Sequence, residues 1–492
     1  MYKSTPWPPA VTGLTMSGNR SRTTTEGAAV SGTEESSLSS GLRQRHLSMI
    51  AIAGVIGAGL FVGSGAAISE AGPAALVSYA LAGVLVVLVM RMLGEMSAAS
   101  PATGSFSAYA EQALGRWAGL AIGWLYWWFW VVVLGIEATA GAEIANRWVP
   151  GVPQWVWALL IMVVLTATNL YSVRSFGEFE FWFAAIKVTA IVGFIALGAA
   201  AVLGLLPTVP SPGVSNLVGH GGFMPFGVSP VFGGLVVIVF SFFGAEIATI
   251  AAGESDNPGR AVRAAVRSVV WRILVFYIGS IAVIVTLLPY DSAEVAESPY
   301  VAVLDRIGLP AAATVMDVVV FTSVLSCLNS GLYTASRMAY SLSRRGQGPA
   351  AVARVSRRGT PVLAVLGSTV VGFVAVAFNY LSPDTVFLFL VNSSGATALL
   401  VWLVIAFSQL RLRRHYQRTD PARLTLRMWG YPYLTWITIA GIAAVLAGMA
   451  FEGETRVQLL LTLLVAAALV VVGVVHQRRA AVARPEIAPT RG

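Results

Sequence analysis

Charged residues are scarce in this sequence. Asp, Glu, Lys and Arg together make up 11% of the 492 residues, whereas hydrophobic residues make up 56%. A soluble domain carries about a quarter of its residues as charged ones, so this composition excludes a soluble globular protein. The mean hydropathy of +0.75 instead indicates a polytopic membrane protein.

Cysteine and histidine are also scarce, and their scarcity excludes two further classes. Cys327 is the one cysteine in the sequence, so the chain cannot form a disulfide framework of its own. The four histidines are scattered and no CxxC or HExxH motif occurs, which argues against a metal site. The loops are short and hold no catalytic cluster, so we expect neither an enzyme nor a receptor, and no cofactor.

Long apolar runs are what the sequence has in abundance. Runs of about 18 to 25 residues can each cross a bilayer as a helix, and they predict an all-α polytopic fold of twelve transmembrane spans. The predicted spans are approximately 47–70, 73–95, 117–146, 153–173, 180–205, 231–253, 268–289, 311–342, 360–380, 385–409, 431–451 and 457–477. The segment 96–116 predicts an amphipathic helix near the inner membrane face.

Positive charge is distributed unevenly between the two sides of this arrangement. Of the 32 Lys and Arg residues, 28 fall on the side that holds both termini and three on the other. The bias predicts that both termini are cytoplasmic and that the protein lies in the cell (cytoplasmic) membrane. Because the basic residues form no continuous face, we do not expect nucleic acid as a partner.

The same pattern predicts the domain organisation. Residues 1–41 are rich in Ser, Thr and Gly and predict a disordered cytoplasmic tail. Residues 42–480 form the predicted twelve-span domain, and residues 481–492 form a short cytoplasmic C-terminal tail.

Glycines interrupt two of the spans at corresponding places. The stretch "GVIGAGLFVGSG" (54–65) lies in the first span and "SFFGAE" (241–246) in the sixth. Since five spans is an odd number, the second unit (231–409) is inverted relative to the first (47–205). Interrupted helices at matching positions of an inverted repeat mark the midplane substrate site of a transporter. Close helix packing is the alternative explanation for the glycines.

Lys187, Glu246 and Glu137 lie well inside predicted spans and need a reason to be there. Lys187 lies about 10 Å into the fifth span, a depth from which its side chain nearly snorkels to the interface. Its apolar neighbours favour a functional role, because Glu178 and Glu180 already mark the interface. We predict that Lys187 and Glu246 carry protons, and that Glu137 in the third span is a polar group of the core.

Polar and aromatic side chains distinguish two other spans. In span eight, Ser326 and Asn329 either line a path or hydrogen-bond to neighbouring helices. In span three, the aromatic run "GWLYWWFW" (123–130) predicts an interfacial belt or packing against lipid. Near the outer end of the same span, Glu143 and Arg147 have the i, i+4 spacing of a surface ion pair.

Taken together, these motifs resemble a known family. The glycine-rich stretch of the first span, "EFEFWFAAIKV" (178–188), "FSFFGAEIATIAAGES" (240–255) and "LNSGLYTASRMAYSLSRRG" (328–346) are similar to motifs of the amino acid–polyamine–organocation superfamily. Within it they resemble the bacterial amino acid transporters, above all permeases for 4-aminobutyrate (GABA). The resemblance implies a five-plus-five inverted repeat with broken helices one and six, followed by two C-terminal helices within residues 431–477.

The resemblance also implies a substrate site at the two breaks. Its residues are Gly57, Ala58, Gly59, Phe240, Phe243 and Gly244. Backbone N–H groups of the first break meet the substrate carboxylate, and carbonyls around Phe240 and Phe243 meet the amine. Phe243 is expected to act as an aromatic gate.

A proton-coupling role follows for two residues from the same resemblance. Lys187 falls where proton-coupled relatives have a lysine in place of the sodium ion of sodium-coupled ones, and Glu246 matches the acid of the sixth-span motif.

These features predict a secondary active permease that imports GABA or a similar zwitterion together with protons. Another neutral amino acid, such as asparagine, proline or an aromatic one, is the alternative substrate. A channel would need a continuous polar pore, against which paired broken helices around one site argue. The expected partners are the small substrate, protons and the lipid bilayer.

Overall fold

The described part of the chain is entirely helical. The computed structural model describes residues 56–102, 105–171, 173–207, 209–219, 221–246, 258–356 and 359–482, and no strand occurs in these ranges. The predicted N-terminal tail, the first nine residues of span one and residues 483–492 lie outside them. This all-α architecture confirms the predicted fold class.

The helices follow one another with short connections. In chain order they are α1 (Ala58–Phe61), α2 (Gly63–Ala71), α3 (Ala75–Ala99), α4 (Ser105–Leu114), α5 (Arg116–Trp148), α6 (Gln154–Tyr171), α7 (Val173–Val202), α8 (Ser215–Val218), α9 (Ser229–Gly233), α10 (Leu235–Phe242), α11 (Pro258–Arg272), α12 (Gly279–Leu287), α13 (Ala293–Glu297), α14 (Pro299–Arg306), α15 (Pro310–Arg344), α16 (Val362–Leu381), α17 (Pro383–Thr419), α18 (Tyr433–Phe451) and α19 (Gly453–Val482). A π-helical stretch, Ile273–Ile278, joins α11 to α12.

The predicted spans correspond to these helices. Ten helical stretches of the described residues are long and apolar enough to cross a membrane. One of them, Ala58–Ala99, contains both the C-terminal part of span one and all of span two. Span six is represented by a shorter apolar stretch, Ser229–Phe242, because its helix stops in the middle of the predicted span.

The long helix α5 is the centre of the packing. It lies against α4, α6, α15, α16, α17 and α19, and most of its side chains are buried. The segment predicted to be an amphipathic helix forms α4, which rests on α5 and α17 and buries Phe106 and Tyr109. Because neighbouring helices cover the middle of α5, its polar residues Glu137 and Thr139 are buried against other helices.

A buried ion pair fixes α3 to α17. Arg413 donates a hydrogen bond to the Glu95 carboxylate, and both side chains are more than nine-tenths buried. Gln409 donates to the other Glu95 oxygen at 2.7 Å, and the backbone N–H of Met428 donates at 2.6 Å. Both oxygens of this buried carboxylate therefore have hydrogen-bond partners within the bundle.

Candidate functional site

The first break lies at Ile56 and Gly57. Gly57 has φ −144° and ψ −145°, and the helix begins only at Ala58. The backbone N–H of Ala58 donates to both oxygens of Glu137, at 3.3 and 3.0 Å. Of the three residues of the predicted break, Gly57 is therefore non-helical, whereas Ala58 and Gly59 belong to the first turn of α1.

The second break follows α10. Phe243 is extended, with φ −66° and ψ 147°, and Gly244 has φ +97°, a conformation that favours glycine. The backbone N–H of Gly244 donates to both oxygens of Glu246 at 3.0 Å, and Glu246 is fully buried. The chain turns helical again at Ala245, and residues 247–257 lie outside the described ranges.

The two breaks approach each other closely at Gly59. A Cβ added there would lie 2.8 Å from the Cα of Ser241 in α10, so only glycine permits this separation. Gly63 faces Val237 one turn further along, and Gly65 faces the backbone of Val295. The glycines of this segment therefore lie both at the break and at close contacts between helices, as the two interpretations of the sequence proposed. Gly54 lies outside the described residues.

A cavity of about 10 Å³, which is smaller than an amino acid, lies between Gly59 of α1 and Phe243 at the second break. It is lined by Gly59, Phe129, Trp130, Val133, Glu137, Phe240, Ser241, Phe243 and Cys327. Four of the predicted site residues, Gly59, Glu137, Phe240 and Phe243, are therefore brought to one place. The carbonyl of Ser241 beside the cavity accepts a hydrogen bond of 2.7 Å from the Tyr277 hydroxyl.

Aromatic rings form one wall of this cavity. The centroid of the Phe243 ring lies 4.0 Å from that of Phe129 and 6.0 Å from that of Trp402. The expectation that the run 123–130 faces lipid is wrong for Tyr126, Phe129 and Trp130, which are buried. Their spacing is the missed signal, because positions 126, 129, 130 and 133 share one helical face with Glu137.

Lys187 is buried and touches the first break. Its side chain has no exposed surface, and Nζ donates a hydrogen bond of 2.9 Å to the carbonyl of Ile56. A snorkelling side chain would instead reach the membrane interface. The ammonium group therefore lies next to the backbone that changes direction at Gly57.

The prediction that Glu180 marks the membrane interface is wrong. Its side chain is fully buried, and the hydroxyl of Ser326 donates a hydrogen bond of 2.5 Å to its carboxylate. Glu180 precedes Lys187 by seven residues, which puts the two side chains on one face of α7.

Ser326 and Asn329 each bond to a neighbouring helix. Ser326 reaches Glu180 on α7, and the side-chain oxygen of Asn329 accepts a bond of 2.7 Å from Asn169 on α6. Both contacts agree with the interhelical bonding that was one of the two interpretations of span eight. At the far end of α5, Glu143 and Arg147 form the predicted pair at 3.5 Å.

This arrangement suits the binding of a small zwitterion better than covalent chemistry. Backbone groups at the two helix breaks are hydrogen-bonded to three ionisable side chains, Glu137, Lys187 and Glu246. No group of His, Cys, Asp or Glu in the described ranges has the geometry of a metal site.

Comparisons with known proteins agree with these features. A family model described as amino acid permease matches residues 46–483. The chain is 57% identical to the gamma-aminobutyric acid permease of Bacillus subtilis (strain 168), over 87% of this chain and 91% of that protein. It is 52% identical to the gamma-aminobutyric acid permease of Escherichia coli (strain K12), over 87% and 92% of the two chains.

Less similar proteins also match this chain. The aromatic amino acid transport protein of Corynebacterium glutamicum is 44% identical, over 86% of this chain and 91% of that protein. Among solved structures, a mutant of the Eremococcus coleocola manganese transporter superposes with a TM-score of 0.54 at 13% identity, covering 88% of this chain and 94% of that chain. This last likeness shows a common fold and nothing about the substrate.

Proposed function

The chain belongs to the amino acid permease family, and we propose that it imports GABA, or a similar zwitterionic amino acid, together with protons. The protein is a transporter and not an enzyme. Identities of 57% and 52% to two GABA permeases support this substrate. The 44% identity to an aromatic amino acid transport protein makes another neutral amino acid the second candidate.

The observation that carries this proposal is the junction of the two helix breaks around one cavity. We assign the substrate carboxylate to the backbone N–H groups of the first break, at Gly57, Ala58 and Gly59. The amine then extends towards the carbonyls near Phe240, and the ring of Phe243 closes over the substrate. Backbone groups at broken helices bind both ends of a zwitterion without a dedicated charged side chain for each.

Proton coupling is assigned to Lys187 and Glu246. Each is buried, and each holds the backbone of one break, through the carbonyl of Ile56 and the N–H of Gly244 respectively. Gain or loss of a proton at either side chain changes the hydrogen bonds of its break. Ionisable residues inside a membrane domain commonly serve such proton transfer.

The proposed location is the cytoplasmic membrane, with both termini in the cytoplasm. The uneven distribution of Lys and Arg, 28 on the side of the termini against three on the other, supports this orientation.

Uptake in whole cells tests the proposal. Cells that lack their own GABA uptake, with and without the expressed protein, are given radiolabelled GABA in the presence and absence of a proton uncoupler. We expect saturable uptake that the uncoupler abolishes, and competition by unlabelled GABA more strongly than by asparagine, proline or phenylalanine. Absence of saturable uptake for GABA and for all these amino acids would refute the proposal, and stronger competition by one of them would replace GABA by that substrate.

A further inference from the structure

The cavity between the two breaks contains one charged side chain. Of the residues that line it, Glu137 alone carries a charge, and the others are apolar, aromatic or small. Glu137 projects from α5, in the middle of the helix that the rest of the bundle surrounds. A buried carboxylate in an otherwise apolar cavity must be hydrogen-bonded or protonated.

Glu137 accepts a hydrogen bond from the backbone of the first break. Both of its oxygens lie within hydrogen-bond distance of the Ala58 nitrogen, at 3.3 and 3.0 Å. The Glu137 carboxylate also lies close to Gly57, because a Cβ added to Gly57 would lie 2.5 Å from a Glu137 oxygen. A carboxylate of the protein thus occupies the backbone donor that the proposed function assigns to the carboxylate of the substrate.

We propose that Glu137 couples substrate binding to proton uptake by competing with the substrate for the N–H of Ala58. In the carrier without substrate, ionised Glu137 accepts this hydrogen bond. When the substrate arrives, its carboxylate takes the N–H, and Glu137 binds one proton from the surrounding medium. No covalent bond of the substrate changes, and the proton leaves when the substrate is released. The inference rests on the proposed function and names the group that links its two halves.

Electrostatics gives the direction of the coupling. Two ionised carboxylates on one donor would lie within about 4 Å of each other, and their repulsion in a poorly solvated cavity favours protonation of one of them. A substrate carboxylate in water remains ionised at neutral pH, whereas Glu137 is already removed from water. Binding is therefore tighter on the side of lower pH, which is the outer side under a normal proton gradient.

The groups that face Glu137 determine how strongly it holds its charge before the substrate binds. Cys327 on α15 lines the same cavity, and the ammonium of Lys187 on α7 lies at the carbonyl of Ile56, two residues before Ala58. From α1 only the backbone of Ala58 reaches it. The positive charge of Lys187 thus favours the ionised form of Glu137, which accepts the hydrogen bond from Ala58. The negative charge of an arriving substrate carboxylate disfavours this form.

Binding measurements on the purified protein test this inference. Radiolabelled GABA binding is measured from acidic to alkaline pH in detergent, and a pH-indicator dye in weakly buffered solution counts the protons taken up on binding. The variants are Glu137→Gln and, as matched control on the same helix, Glu143→Gln, whose side chain pairs with Arg147 at the far end of α5.

We expect the wild type to bind more weakly as pH rises, by up to about tenfold per pH unit, and to take up about one proton per GABA at alkaline pH. Glu143→Gln should behave in the same way. In Glu137→Gln the dissociation constant should depend less steeply on pH than in the wild type, and fewer protons should be taken up per GABA, because the glutamine stays neutral while Lys187 and Glu246 can still exchange protons.

Several results would overturn the inference. They are wild-type pH dependence in Glu137→Gln, no proton uptake by the wild type at any pH, or loss of all GABA binding in a Glu137→Gln protein that elutes as a single species. If this variant does not fold, absence of proton uptake by the wild type still overturns the inference. Absence of binding of any amino acid to the wild type is a separate outcome, because it refutes the proposed function as well.

Discussion

The contact between the two broken helices at Gly59 can be tested by adding one methyl group. In Gly59→Ala the new Cβ would lie 2.8 Å from the Cα of Ser241 and 2.9 Å from its Cβ. Carbon atoms are at rest about 3.5–4.0 Å apart, so α1 and α10 must separate by about 0.7 Å or more. A change of rotamer cannot remove the clash, since one of the two atoms belongs to the backbone.

The expected cost follows from the geometry. Overpacking of an interior typically costs about 1–3 kcal/mol, and the better helix propensity of alanine returns up to about 1 kcal/mol. We therefore expect Gly59→Ala to lose about 1–2 kcal/mol of stability. The separation also moves the N–H of Ala58, so we expect GABA uptake to fall by about tenfold or more.

Two other glycines serve as matched controls. In Gly63→Ala the closest contact of the new Cβ is the end of the Val237 side chain, at 3.3 Å, and in Gly193→Ala the new Cβ meets nothing within 4 Å. Thermal unfolding of the purified proteins and initial rates of GABA uptake are measured together. Gly59→Ala should be the least stable and least active of the three. Equal stability and uptake in Gly59→Ala and Gly63→Ala would refute the close approach of the two breaks.

Three further substitutions test other parts of the account. Lys187→Ala should abolish accumulation driven by a pH gradient while the protein still reaches the membrane, and accumulation equal to wild type would show that this ammonium is not needed for coupling. Glu95→Gln should cost about 3–5 kcal/mol in thermal unfolding, because it leaves Arg413 buried without its carboxylate. Stability within about 1 kcal/mol of wild type would contradict a buried pair. Phe243→Ala removes the ring that lies 4.0 Å from Phe129 and should raise the KM for GABA uptake. An unchanged KM would exclude a gating contact with the substrate.

The sequence predicts the helices well because membrane insertion depends on local composition. Any run of about 20 apolar residues must satisfy its backbone internally, and a helix does so without help from distant residues. The breaks at Gly57 and Gly244 were predictable for a related reason, since glycine in matching spans weakens the helix locally. The side chains that hydrogen-bond to each break could not be predicted from the sequence in the same way.

Glu180 and the aromatic face of α5 show where such reasoning stops. Glu180 lies next to polar residues in the sequence, which suggests the interface, but its partner Ser326 is 146 positions away. Phe129 and Trp130 look like members of an interfacial belt until α10 and α15 pack against the same helix. Side-chain burial in a helical bundle depends on which face a neighbour covers, and a window of local sequence does not contain that neighbour.

Accumulation in proteoliposomes tests the central claim most directly. Purified protein is reconstituted into vesicles with a more alkaline interior, and radiolabelled GABA is added outside with and without an uncoupler. The account predicts that GABA accumulates inside above its external concentration, and that the uncoupler or equal pH on both sides reduces this to simple equilibration. Equilibration alone under the pH gradient, in vesicles that exchange GABA, would contradict proton-coupled import.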